Sequence, residues 1–126
     1  MAVIIPARTV REFKQLMKTD PSEVSFIRSM NDWELYIRRA DSDDHPLKSL
    51  TQEDIAEFTR SLVFRNGGIA GAYVGMLKDK LTYNQYESLI TKFGLDLRLA
   101  ADYADYYCSS KGNCGERGGY ICTSNC

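Results

Sequence analysis

After Thr9, apolar residues recur three and four apart at Val10, Phe13, Leu16 and Met17. That spacing lines one face of a helix, with Thr9 as its N-cap and an end near Asp20-Pro21. The pattern then changes. Phe26-Ile27 and Met30-Asn31-Asp32 lead into Trp33, Leu35 and Ile37 alternating with Glu34, Tyr36 and Arg38, which predicts a β-hairpin over residues 25–39. Asp41-Ser42-Asp43-Asp44-His45-Pro46 is polar and ends in proline, so it reads as a linker.

Helical spacing returns in the second half. A helix is expected over residues 51–65, capped by Ser49 or Thr51, buried through Ile55, Phe58, Leu62 and Val63, and stopped by Asn66-Gly67-Gly68. Another is expected over residues 69–80. Thr82 and Gln85 have capping-box spacing ahead of Tyr86, Leu89, Ile90 and Phe93, and Gly94 ends that face. Asp96 caps a last helix reaching about Tyr107. The expected fold class is α+β and predominantly helical: an N-terminal helix and β-hairpin, about four further helices, and an irregular Gly/Cys-rich tail. Residues 1–107 are the folded body and 108–126 the tail.

A chain of 126 residues supports one core. Lys+Arg at 16 against Asp+Glu at 17, interspersed, provides no basic field, so nucleic acid is not an expected partner. The apolar run at residues 69–77 falls well short of the roughly 20 residues a membrane span needs. No secretory signal is legible at the start, so the expected location is cytoplasmic. The single histidine, His45, sits among Asp41, Asp43 and Asp44 and is absorbed by the linker; it leaves no Ser-His-Asp triad to build, and no phosphate-binding loop follows a strand. The chain is therefore expected not to be an enzyme. Tyr73, Tyr83, Tyr86, Tyr103, Tyr106 and Tyr107 are read mainly as core.

The chemistry concentrates in the tail, where all four cysteines and four of the nine glycines occupy residues 108–126. The spacing is C-x5-C-x7-C-x3-C. Three chemistries compete for it. Cysteine thiolates can add to dehydrated Ser109, Ser110, Thr123 or Ser124; Cys108, Cys114, Cys122 and Cys126 can hold zinc or an iron–sulfur cluster; or they can form two disulfides, which suits an exported segment. With Gly118-Gly119-Tyr120-Ile121 leading into Cys122-Thr123-Ser124-Asn125-Cys126, and Ser109-Ser110 preceding Cys114, the tail resembles the core of a ribosomally synthesised, post-translationally modified peptide of the lanthipeptide kind. The resemblance covers 108–126 only. It implies a precursor whose body docks on a peptide-modifying enzyme, whose tail is cross-linked without a cofactor, and whose processed peptide passes through an export or protease transporter. On this expectation the partner-binding face is the hairpin, through Trp33, Leu35 and Ile37. The alternatives are a four-cysteine zinc or redox protein and an interaction domain with a disulfide-bonded tail.

Overall fold

The computed structural model describes residues 6–20, 26–39 and 45–126, so Asp41, Asp43 and Asp44 of the linker lie outside the described residues. Thr9 is extended, and its Oγ1 accepts the Glu12 N–H at 3.1 Å, opening α1 (Val10–Met17) and turning Phe13 inward. The expected hairpin is instead a helix, α2 (Met30–Arg38). Its start is tied down twice: Ser29 Oγ accepts the Asp32 N–H, and Asp32 Oδ2 accepts the N–H of Arg28, the residue before the cap. The short alternation that suggested strands also contains an i, i+4 pair. On a helix Trp33 and Ile37 share a face, while Leu35 points away.

Thr51 and Asp54 form a full capping box at the head of α3 (Gln52–Ser61). The helix stops at Ser61, before the expected Arg65, because Leu62 is extended and leads into β1 (Val63–Arg65). Asn66 at φ 56° and Gly67 at φ 90° then make a two-residue turn into β2 (Gly68–Tyr73), pairing Arg65 with Gly68 and Phe64 with Ile69. Both central residues have positive φ, as a hairpin turn of type I′ requires. Asn66-Gly67-Gly68 thus joins two strands and does not end a helix.

Residues 69–80, expected as one helix, divide into β2 and the short α4 (Gly75–Lys80). From Gly68 to Ala72 every position of β2 is buried, and an apolar run without period suits a strand covered on both sides. The Thr82–Gln85 box opens α5 (Tyr83–Thr91) as the spacing predicts, and Gly94 follows at φ 90°. Asp96 caps α6 (Leu97–Asp102), which ends before Tyr107 and gives way to β3 (Ala104–Ser110) and β4 (Asn113–Cys122).

The four strands form one antiparallel sheet in the order β1-β2-β4-β3. The class is α+β, but the sheet and not the helices organises the second half. The tail is not irregular: β3 crosses the expected boundary at residue 107, and Ile121 of β4 is 1% exposed inside the main core. The same core holds Phe13, Trp33, Phe58, Leu89, Phe93, Leu95 and Leu99. Burial of each such side chain contributes about 1.5–3 kcal/mol. Arg28 clasps two segments through three backbone carbonyls, donating to Met17 and Thr19 at 2.9 Å and to Gly67 at 2.8 Å.

Candidate binding site on the cross-linked hairpin

β3 and β4 are joined by the two-residue turn Lys111-Gly112, with Gly112 at φ 80° and Ser110 opposite Asn113. Beside the turn, Tyr106 faces Glu116 and Cys108 faces Cys114. Beyond Glu116 the ladder breaks, and the next pair is Ala104 with Ile121. β3 thus advances two residues where β4 advances five. The slack is taken up around Gly118-Gly119, with Gly119 at φ 85° donating its N–H to Asp105 Oδ1 at 3.2 Å. An added Cβ at Gly119 would meet Tyr73 Cε1 at 2.6 Å, so this corner accepts only glycine.

The corner folds the hairpin back on its own stem. Eight residues of straight strand would separate Cys114 from Cys122 by about 26 Å. Their Cα atoms are 5.9 Å apart and their sulfurs are bonded. A second disulfide, Cys108–Cys126, encloses the first in sequence. The pattern is nested, one of three pairings open to four cysteines. Gly71 lets the folded-back strand settle on β2, since a Cβ there would stand 3.2 Å from both Cys108 Cβ and the Ile121 carbonyl oxygen. Ala70, Cys108, Cys122 and Cys126 make a small second core.

Each tail residue singled out from the sequence now has a place. Thr123 is 3% exposed; its Oγ1 donates to the Ile69 carbonyl at 2.6 Å and accepts the Asn125 N–H at 3.0 Å. Ser124 Oγ accepts the Tyr103 hydroxyl at 3.1 Å. Ser109 and Ser110 are exposed near the turn, the first donating to the Asn113 carbonyl and the second accepting from the Asn113 side chain. The last residues are tied down as well: Gly112 N–H donates to the Cys126 carbonyl at 2.6 Å, and Asn66 Nδ2 to the Asn125 carbonyl at 3.0 Å.

Trp33, Leu35 and Ile37 are not brought together. Trp33 is fully buried, stacked 5.6 Å from Phe93, and its Nε1 donates to Thr59 Oγ1 at 2.9 Å. Leu35 is exposed and Ile37 half-buried, so the three form no common surface. His45 caps a 3-10 turn (Pro46–Ser49) through Nδ1 and lies against the Tyr36 ring at 4.4 Å.

What sequence reasoning missed lies on the folded-back hairpin. The Tyr120 ring meets Tyr73 at 5.0 Å and Tyr107 at 5.1 Å. Arg117 lays its guanidinium over both neighbours on the hairpin, 4.9 Å from Tyr120 and 5.0 Å from Tyr107. Cation–π contacts of this kind restrain the planar group against the aromatic surface. Arg117 also lines a pocket of about 450 Å³ between the hairpin and α3, together with Glu57, Arg60, Ser61, Tyr73 and Tyr120. The missed signal was the Lys111-Gly112 pair between two tyrosine-bearing runs. No helix of the described residues is long and apolar enough to cross a membrane. No family model, curated protein or solved structure matches the chain.

Proposed function

We propose that the protein is a binding module, not an enzyme, working in an oxidising compartment, and that its disulfide-braced hairpin presents the Tyr73, Tyr107, Arg117 and Tyr120 cluster to a protein partner. The observation that carries this is Arg117, held against two tyrosine rings that meet each other edge to face, at the rim of an open pocket. Tyrosine and arginine anchor interfaces more than other residues do, and a group already ordered before binding loses little entropy on association. β3 adds an open sheet edge beside the cluster, on which an extended segment can pair. Two disulfides persist where the redox poise is oxidising, which favours an exported location over the cytoplasmic one expected from the N-terminus.

The precursor proposal, with a peptide-modifying enzyme as partner, asks more of the same residues. A thioether at Thr123 would require it to leave its buried hydrogen bonds, and one at any position would require the cysteine concerned to leave its bridge. Intact mass spectrometry of the protein from its host separates the two. Unmodified mass with two reducible bridges supports the binding module; loss of one water mass per modified Ser or Thr supports the precursor. The binding surface is tested by a photo-crosslinker at Tyr106 in the host. A crosslinked partner lost on Arg117→Ala is the expected result, and an unchanged crosslink pattern in that variant would overturn the assignment of the surface.

A further inference from the structure

The sulfurs of Cys108, Cys122 and Cys126 lie within 4.8 Å of one another, all three residues are buried, and Cys114 is bonded to Cys122. The two disulfides therefore lie side by side, and four sulfurs from three separate stretches of chain share one small volume. We propose that the reduced protein binds one soft divalent metal ion, zinc by preference, through the four thiolates of Cys108, Cys114, Cys122 and Cys126, and that oxidation to the two disulfides expels it.

Tetrahedral zinc with bonds of about 2.3 Å sets its sulfurs about 3.8 Å apart. The sulfurs of Cys108, Cys122 and Cys126 already stand within 4.8 Å of one another. The Cys114 sulfur, bonded to that of Cys122 from the exposed side, completes the set once reduction parts the two bonded pairs. The scaffold that brings the sulfurs together does not depend on the sulfur bonds alone. Cys122 N–H donates to the Tyr103 carbonyl, Thr123 N–H to the Ala70 carbonyl, and Gly112 N–H to the Cys126 carbonyl. The Ser110 carbonyl oxygen, 3.3 Å from Cys126 Sγ and 3.6 Å from Cys108 Sγ, is placed to accept from the free thiols before a metal displaces their protons.

The chemistry balances. Four thiols bind the dication and release four protons. Each disulfide then formed passes two electrons to a disulfide oxidant, which leaves as two thiols after taking up two protons. With the second bridge the metal departs as the free dication. The site is independent of the hairpin's partner: it can fail while the binding surface stands, because it involves none of Tyr73, Tyr107, Arg117 or Tyr120.

The test uses the whole chain, reduced with a phosphine that does not compete for metal and titrated with Co²⁺ and then Zn²⁺. One equivalent of Co²⁺ showing thiolate charge-transfer and tetrahedral ligand-field bands, displaced by Zn²⁺, is expected, with at least tenfold weaker binding in each of Cys108→Ser, Cys114→Ser, Cys122→Ser and Cys126→Ser. Six-coordinate spectra, no stoichiometric binding, or binding unchanged by the serine substitutions would overturn it. Amide exchange separates a folded site from thiols of an unfolded chain: zinc should restore protection at Cys122 and Thr123, and metal bound without that protection also defeats the proposal.

Discussion

Trp33 and Leu35 stand two residues apart on α2 and meet opposite surroundings, one without solvent and one 42% exposed. Trp33→Ala should therefore cost about 3–5 kcal/mol in urea unfolding, whereas Leu35→Ala should stay within about 0.5 kcal/mol. Equal losses would mean that α2 does not lie as described. Tyr36 makes a finer test. Its hydroxyl is buried and, among the described residues, finds no hydrogen-bond partner, and burial pushes its pKa up to about 12, as it does for Tyr86. Removing an unsatisfied buried hydroxyl relieves its desolvation, so Tyr36→Phe should be neutral or stabilising by up to about 1 kcal/mol. A raised folded-state value favours the neutral phenol: the stability it contributes is complete below pH 10 and is lost as pH climbs towards 12. In a phenolate absorbance titration, two of the eight tyrosines should ionise late.

At the scale of elements the folded-back hairpin depends on its bridges and on its glycine corner. On the chain-entropy account, closing loops with sequence separations of 18 and 8 contributes about 3 and about 2.5 kcal/mol respectively. Replacing Cys114 and Cys122 together by serine should cost less than replacing Cys108 and Cys126, and chemical denaturation of the two double variants measures the difference. Gly119→Ala places a side chain at φ 85° and into the Tyr73 ring. A left-handed backbone alone costs about 1–2 kcal/mol for such a residue. The same variant should disturb the seat of Arg117, because the corner aims β4 back across the sheet.

Across the whole molecule, Lys80 on α4 reaches back 2.5 Å to Asp54 on α3, joining the two helices that flank β1 and β2 in the chain. The Lys80 hydrogen bond, with help from the Thr51 N–H, holds the Asp54 carboxyl below its usual 3.8. A depressed folded-state value contributes stability above 3.8 that is lost as pH falls through it. Thermal unfolding of the wild-type protein should therefore decline more steeply below pH 4 than that of Asp54→Asn. Identical acid profiles would show that this pair does not couple the helices.

How much of this was legible depended on how local the signal is. Thr9, Thr51 with Asp54, Thr82 with Gln85, and Asp96 each act within one turn of backbone, so the chain itself determined where α1, α3, α5 and α6 begin. It also determined that the cysteines carry special chemistry. Tertiary structure decided the rest. An alternation of six residues in α2 and an apolar run without period in β2 each satisfy two kinds of element, and only the faces available for burial choose between them. The pairing of the cysteines, the stacking of Arg117 and the entry of Ile121 into the core arise because a corner at Gly119 returns the hairpin to β2, where Gly71 leaves room for it. Contacts between residues 71 and 108, or 73 and 120, have no local signature, because they exist only once distant strands have paired.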